Sequence, residues 1–249
     1  MSQAFSNVSL YGSRLIRALT DLAVADVDLS HDHFTDRLAG LVDISGSITL
    51  SDAHSQSRRL EFVAESVSSE TLQMSFAEVR TNLVKGILQS FVPGQRGMRI
   101  KLPKEERTEE AEPLGFEPYH RFYAAHQRDM EAKVRRLHDQ IRDQVAVISP
   151  ELAKITILDR AFSDILQSYA RKSLAVTPRL LGTRFRFLQR ENKVRAEARE
   201  QSASKLWLTE DTGLIAFCHE MKTVLLAELE VRLLPVMALI EAANSAQPQ

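Results

Sequence analysis

The sequence predicts an all-α fold. Glycine is scarce, with nine among 249 residues, and apolar residues recur at helical spacings along most of the chain. Between residues 117 and 242 this pattern is almost continuous, which favours long helices over a turn-rich β architecture. We therefore expect a multi-helix protein, with a bundle of long helices in the C-terminal half and a small helical region at the N-terminus.

Composition bounds the class of protein. Apolar residues make up 44% of the chain and charged residues 26%, and the formal net charge is −1, as in ordinary globular proteins. The longest notable apolar run, residues 233–240, is much shorter than the roughly 20 residues that a membrane-spanning helix needs. The N-terminus has no leader-like pattern, and Cys218 is the single cysteine. We expect a cytoplasmic protein with no membrane insertion and no internal disulfide.

The chain divides at a segment rich in proline, glycine and charge. Residues 93–118 hold four of the eight prolines and three of the nine glycines, a composition that resists packing into a core. We interpret this segment as a linker, either a flexible tether or a docking strap. It separates an N-terminal helical region, residues 1–92, from a C-terminal helical bundle, residues 119–249.

Three helices are predicted before the linker. Ser9 caps the first, whose apolar residues recur near a 3.6-residue spacing, and a second covers residues 33–42. Residues 44–52 are compatible with a short helix or a brief strand. The third runs over residues 69–91, with Ser68 or Ser69 as its N-cap. Together these helices can close a small core.

Four helices are predicted after the linker. The longest, residues 119–148, has an apolar stripe that steps by three or four residues over about eight turns, as in coiled coils and bundles. It stops at Ser149-Pro150, and Thr177-Pro178 predicts another helix start. A last helix covers residues 210–242. The helix that follows Pro150 carries Leu152, Ile155, Leu158, Phe162, Ile165 and Tyr169 on its stripe.

Three stretches carry a resemblance to a known family. They are GSRLIRALTDLAVAD (residues 12–26), RFYAAHQRDMEAKVRRLHDQIRDQVA (121–146) and LDRAFSDILQSYARKSLAVTPRLLGTRFRFLQRE (158–191). The chain resembles an uncharacterised proteobacterial family of unknown function, whose members are found beside genes for MotA/TolQ-type proton channels and OmpA/MotB-type peptidoglycan-binding proteins. Some members belong to the type III Zorya anti-phage defence system, as an accessory component next to the channel pair. The resemblance implies such a setting and implies no active-site residue.

No catalytic, cofactor-binding or metal-binding residue is predicted. The sequence lacks the glycine-rich phosphate loops GxxxxGK[ST] and GxGxxG and the GxSxG nucleophile elbow. His219-Glu220 begins an HExxH-like motif, but Thr223 stands where the second imidazole is needed. His31 and His33 are more typical of surface polarity than of a metal pair. We therefore expect a non-enzymatic protein with no cofactor.

A basic run stands out in this nearly neutral chain. Residues 160–199 contain ten Lys or Arg against three acids, and four of the cations lie within about 60° of one another on a helix that starts at Pro178. Such a face can bind phosphates or an acidic protein. It can also be a solvated face that the acidic N-terminal region balances. The candidate residues for an anionic partner or nucleic acid are Arg179, Arg184, Arg186, Arg190, Lys193, Arg195 and Arg199.

The long helix predicts a protein interface as well. Its stripe spans about 40 Å, whereas the helix after Pro150 covers about 26 Å. The final helix, a second copy or a partner subunit must therefore shield the remainder. We assign this candidate interface to Phe122, His126 and Met130, although a histidine on an apolar stripe is more often a core residue.

These observations favour one function and leave alternatives open. The first hypothesis is a helical adaptor that binds a protein encoded nearby, with a homo-oligomer as a further arrangement. The alternative is a nucleic-acid-binding module that uses residues 179–199, a reading that Phe185 and Phe187 favour slightly. A cryptic enzyme is kept only because distant residues can assemble a site.

Overall fold

Helices account for nearly all of the chain that the structure describes. The structure is a computed structural model that describes residues 14–22, 44–94, 97–104, 115–198, 207 and 213–246. Within these ranges there are seven helices and no strand, so the predicted all-α class is confirmed. In chain order they are α1 (14–22), α2 (Ile44–Arg58), α3 (Ser69–Ser90), α4 (Phe116–Ala146), α5 (Pro150–Leu174), α6 (Val176–Ala198) and α7 (Leu214–Ala246).

The two longest helices form the centre of the bundle. Helix α7 has 33 residues and α4 has 31, and these two make the most extensive contact in the fold. Helices α3, α5 and α6 pack against both of them. A helix with neighbours on several sides has to be apolar on several sides. This explains why α7 buries thirteen residues and α4 buries ten.

The predicted N-cap of α3 is confirmed, and so is the predicted start of α5 at Pro150; the cap at Ser149 was not predicted. Ser68 Oγ accepts a hydrogen bond from the Thr71 backbone N–H at 3.2 Å. Ser149 Oγ accepts one from the Leu152 backbone N–H at 3.2 Å, and Pro150 occupies the first turn of α5. Each cap satisfies a backbone donor that the first helical turn leaves without a partner.

The helix predicted to start at Thr177-Pro178 exists, but it begins two residues earlier than predicted. Helix α6 begins at Val176, only Ala175 separates it from α5, and Thr177 is buried inside its first turn. A proline interrupts a helix one turn upstream, because its ring clashes with the carbonyl of residue i−4 and it has no N–H to donate. For Pro178 that carbonyl belongs to Leu174, where α5 ends. Gln127 Nε2 donates to the Leu174 carbonyl instead, at 3.3 Å.

The hydrophobic core extends across the predicted linker. Leu83 and Ile87 of α3 are buried in the same cluster as the apolar faces of α4 and α7. Ile100 and Leu102, from within the predicted linker, pack against its edge. Residues 95, 96 and 105–114 lie outside the described ranges, so the tether interpretation stays a prediction for them.

Residues 44–52, for which the sequence allowed a helix or a strand, are helical. The stretch that was compatible with a helix or a strand forms α2, which packs on α5 and buries Gly46 and Ala53. Helix α1 places Leu15 and Leu22 in the core. The predicted cap at Ser9, the predicted helix over residues 33–42 and the histidines 31 and 33 lie outside the described residues.

Candidate partner-binding surface

Helix α6 has one face in the core and the opposite face in solvent. Its buried face consists of Thr177, Pro178, Leu181, Gly182, Phe185, Leu188, Asn192 and Ala196. These positions recur every three or four residues and so share one side of the helix. The cations of the basic run therefore have to lie on the other side.

Four cations occupy this outer face, and we call them the α6 basic face. They are Arg179, Arg186, Arg190 and Lys193, and all are exposed. At 1.5 Å per residue the face extends about 21 Å along the helix. Among the described residues none of the four forms an ion pair, although Arg186 donates a hydrogen bond to Thr183 Oγ1 at 3.2 Å. No described carboxylate lies within ion-pair distance of these four cations, although the exposed Glu197 follows Lys193 by four residues on the same face.

Arg184 and Arg195 do not belong to this face, which corrects their assignment as free binding residues. Arg184 forms a bidentate ion pair with Glu220 of α7, with Nη2–Oε1 at 2.6 Å and Nε–Oε2 at 3.0 Å. These hydrogen bonds raise the pKa of the Arg184 guanidinium, although its partial burial opposes the shift. Arg195 Nη2 lies 3.7 Å from Glu191 Oε2 on the same helix. Arg199 lies outside the described residues.

The aromatic residues of α6 do not line the basic face. Phe185 is only 1% exposed and contacts the rings of Phe116, Tyr119 and Phe217, with centroid separations of 5.0–5.7 Å. Phe187 is half-buried beneath the Arg184 guanidinium, which lies 5.5 Å from its ring centroid. Neither ring is free to stack on a nucleobase, as single-strand-binding surfaces require.

The predicted interface on α4 is buried inside the chain itself. Phe122 and His126 are each 4% exposed and Met130 is 1% exposed. Helices α3 and α7 pack along this part of α4, and the Phe91 ring meets the Phe122 ring edge-on at 5.1 Å. The assignment to a partner interface is therefore wrong, because helices of the same chain supply the missing cover.

His126 is a buried neutral histidine with a defined hydrogen bond. Its Nε2 lies 2.8 Å from Ser90 Oγ, and the single hydroxyl proton of Ser90 points to the Ile87 carbonyl at 2.7 Å. The Ser90 oxygen must therefore accept, so the imidazole carries its proton on Nε2. Burial lowers the pKa of His126 to about 4, which keeps the ring neutral near pH 7.

A buried carboxylate joins α4 to α7. Glu228 is 0% exposed and accepts hydrogen bonds from the Tyr123 hydroxyl at 2.7 Å, from Gln127 Nε2 at 3.0 Å and from Arg232 Nη2 at 2.7 Å. Burial, followed by the charge of Glu228, raises the pKa of Tyr123 well above its usual value. We call these four residues the Glu228 network. Its donors match the acceptor capacity of a carboxylate, as buried charges require.

A second polar cluster joins α4 to α5. The buried Arg142 donates from Nε to Asp159 Oδ2 at 2.8 Å and from Nη1 to Asp139 Oδ1 at 2.5 Å, and His138 Nε2 lies 2.9 Å from Asp159 Oδ2. Burial raises the pKa of the Asp159 carboxyl, but hydrogen bonds and charge from His138 and Arg142 outweigh burial and hold that pKa below its usual value. This cluster also bonds its members to one another.

One cavity of about 190 Å³ opens between α3 and α4, beneath residues 97–100. Its carboxylate, Asp129, is neutralised on both sides, by Arg99 Nη2 at 2.8 Å and by Lys133 Nζ at 2.7 Å. In the part of the chain that the structure covers, no three His, Cys, Asp or Glu side chains are grouped so that they could hold a metal ion. The cavity therefore presents paired charges to an incoming ligand.

The sequence did not predict the two buried polar networks around Glu228 and Arg142, because charged residues were assigned to solvent-exposed faces. A signal was present in each case. Glu228 stands within a helix that is apolar on nearly every side, between Leu225 and Leu229, and Arg142 lies between Ile141 and Val145 of the buried stripe. A charge at such a position has to be buried with a partner.

Comparisons with known proteins identify the family. None of the helices within the described ranges is both long and apolar enough to cross a membrane. Comparison with curated proteins and with solved structures finds no match. A family model described as "Protein of unknown function (DUF3348)" matches residues 1–245, almost the whole chain. The chain therefore belongs to the DUF3348 family of proteins of unknown function.

Proposed function

We propose that this protein is a non-enzymatic helical adaptor, located in the cytoplasm, that binds an acidic partner protein through the α6 basic face. The resemblance noted in the sequence suggests its setting, as an accessory component of an anti-phage defence system beside a MotA/MotB-like proton-channel complex. One observation carries the proposal. Arg179, Arg186, Arg190 and Lys193 share an exposed face and have no acidic partner among the described residues.

The behaviour of four other arginines supports this choice of surface. Arg142, Arg171, Arg184 and Arg232 all pair with carboxylates of neighbouring helices or turns, at 2.6–2.8 Å. These residues serve the fold. The four cations of the α6 basic face serve no such contact, although their close spacing costs repulsion. A partner with a complementary negative surface would relieve that repulsion and gain steering over distance.

A protein partner fits better than a single-stranded nucleic acid. Nucleic-acid surfaces combine cations with free aromatic rings or with a helix that enters a groove. Phe185 is buried and Phe187 is half-buried under Arg184, so the basic face offers charge without a stacking platform. Binding to DNA is the outcome that would displace this proposal.

The non-enzymatic reading rests on how the titratable groups are used. His126 donates to Ser90, Asp129 is held by two cations, and Glu228 is fully coordinated by its donors. A general base or nucleophile needs free capacity at a site that substrate can reach. Purified protein is therefore expected to hydrolyse neither ATP nor DNA and to bind no stoichiometric zinc, which colorimetric assays and elemental analysis would check.

Charge reversal with a matched control tests the surface. The test variant changes Arg186, Arg190 and Lys193 to Glu. The control variant makes the same change in net charge elsewhere, at Lys85, Arg128 and Arg136, which are exposed and form no ion pair within the described part of the chain. Circular dichroism should show equal helicity for both.

Each variant is co-expressed with the MotA/TolQ-type and OmpA/MotB-type proteins that such a setting would supply, and the complex is purified through a tag on the adaptor. The wild type and the control are expected to retain the channel complex, whereas the test variant should bind at least about tenfold more weakly, because three ion pairs at an interface rim contribute roughly 0.5–1 kcal/mol each. Equal retention by all three proteins would remove the α6 basic face from the proposal.

A duplex DNA of random sequence serves as the second probe. If four phosphates were contacted, the affinity would fall by about a hundredfold between 50 and 200 mM salt. Such a salt-dependent shift, lost only in the test variant, would replace the adaptor proposal by nucleic-acid binding. We expect no shift at physiological salt.

A further inference from the structure

Helix α5 leaves an apolar row partly uncovered. Ile155 is 43% exposed, Phe162 is 39% exposed and Tyr169 is 43% exposed, and these residues follow one another at intervals of seven. Leu158 and Ile165 stand between them and are half-buried. Together the five residues step by three and four, which is the spacing of a coiled-coil seam. A helix with such a seam is suited to pack along a second helix.

Charged residues of opposite sign flank the two ends of this row. Glu151 lies four residues before Ile155, in the first turn of α5, and Lys172 lies three residues after Tyr169, in its last turn. Both side chains are exposed, and both continue the same heptad positions. The α5 row therefore runs from an acid, through five apolar residues, to a base.

The α5 row is nearly symmetric about Phe162. Ile155 and Tyr169 lie seven residues on either side of it, and Glu151 and Lys172 lie eleven residues before it and ten after it. The last two offsets differ by one residue, or about 1.5 Å along the helix axis. Such a row is complementary to an identical row that runs in the opposite direction.

We infer that α5 pairs with α5 of a second copy of this chain, in antiparallel orientation about a two-fold axis at Phe162. The pairing sets Ile155 of one copy against Tyr169 of the other and Phe162 against its own equivalent. Glu151 of each copy then faces Lys172 of the other. A two-fold interface uses the same patch on both subunits, and the α5 row has the self-complementarity that this requires.

The charges at the two ends of the row favour this occupant. A parallel pairing would place Glu151 against Glu151 and Lys172 against Lys172, and like charges at a helix interface oppose association.

Sedimentation velocity of the full chain, from about 1 to about 300 µM, tests the pairing. The wild type is expected to pass from monomer to dimer across this range. Phe162→Asp should weaken dimerisation at least about tenfold, because it buries carboxylates at the two-fold axis. Val194→Asp is the matched control, since Val194 is exposed by 65% on α6, and it should dimerise like the wild type.

Charge exchange reports on orientation without altering the apolar row. Glu151→Lys and Lys172→Glu should each weaken dimerisation several-fold, because each places like charges together at both ends of an antiparallel pair. The double variant should recover the wild-type dissociation constant to within about twofold, since it restores opposite charges. Circular dichroism verifies that all variants stay helical.

Three results would overturn the inference. A wild type that remains monomeric over the whole range would mean that something other than a second copy covers the row. Equal effects of Phe162→Asp and Val194→Asp would place the dimer contact elsewhere. A double charge variant that stays as weak as the single variants would exclude the antiparallel pairing. The α6 basic-face variant should still dimerise, so this test is independent of the proposed function.

Discussion

The Glu228 network provides the sharpest test of what holds α4 against α7. The carboxylate is completely buried and takes a 2.7 Å hydrogen bond from the Tyr123 hydroxyl. The Tyr123 side chain is itself 0% exposed. Changing Glu228 to Ala therefore removes the only described acceptor of the Tyr123 hydroxyl and also leaves the Arg232 guanidinium, with a side chain 14% exposed, without its counter-charge.

The burial and hydrogen bonds of this network determine how much unfolding free energy each variant should lose. Tyr123→Phe removes one donor from a carboxylate that keeps two others, which costs about 1–2 kcal/mol of unfolding free energy. Glu228→Ala breaks a buried ion pair and opens a cavity, which costs about 3–5 kcal/mol. In the double variant the Tyr123 hydroxyl is absent together with its acceptor. The double variant should therefore be no less stable than Glu228→Ala, so that the two losses do not add.

Urea denaturation at pH 7, followed by circular dichroism, measures all four proteins. The expected coupling between the two residues is about 1–2 kcal/mol, which exceeds the usual error of additivity. The slope of the free energy against urea concentration should remain constant, since the fold is unchanged. Losses that simply add would show that the hydroxyl and the carboxylate do not interact, and the reasoning would then fail.

Three further predictions follow from burial and backbone geometry. The pKa of His126 falls from 6.5 to about 4 on folding, so the unfolded state takes up a proton before the folded state does. Wild-type stability relative to His126→Gln should therefore fall by up to about 3 kcal/mol as pH drops from 6.5 to 4. A constant difference in stability across that range would contradict this prediction. Gly213→Ala should lower stability by about 1–3 kcal/mol, since its φ is +95° and a Cβ would lie 2.7 Å from the Trp207 carbonyl oxygen. Gly86→Ala, where a Cβ would meet no atom within 4 Å, should raise stability by about 0.5–1 kcal/mol in the same urea titration. Phe122→Asp combined with Met130→Asp should abolish cooperative melting of the isolated protein, because both residues are core residues; an unchanged melting temperature would restore them to an external interface.

Much of the secondary structure could be read from the sequence, because its signals are local. The apolar stripe of α4, the cap at Ser68 and the helix start at Pro150 depend on residues within a turn or two. The start of α6 was misplaced because Pro178 acts on the carbonyl of Leu174, one turn away, rather than on its own neighbour. The strand alternative for α2 could not be dismissed, because its apolar residues face outward and give no clear period.

The candidate site was only partly accessible to sequence reasoning. Helical periodicity correctly grouped the four cations of the α6 basic face. It also placed Arg184 on another face, but it could not predict that this side chain pairs with Glu220, which lies 36 residues further along the chain. The cover over Phe122 and Met130 was left open between the final helix, a second copy and a partner, since α3 and α7 reach them only through tertiary packing.

The central position of α7 sets the order in which this protein can fold during synthesis. Helix α7 supplies thirteen buried residues and contacts α3, α4, α5 and α6, yet the ribosome makes it after all of them. At about 5–20 residues per second its 33 residues take roughly 2–7 seconds. Until then the parts of α3 and α4 that α7 covers stay exposed, so the nascent chain is open to aggregation or to chaperone binding. A chain that stops before Leu214 lacks α7, which is the main packing partner of α4.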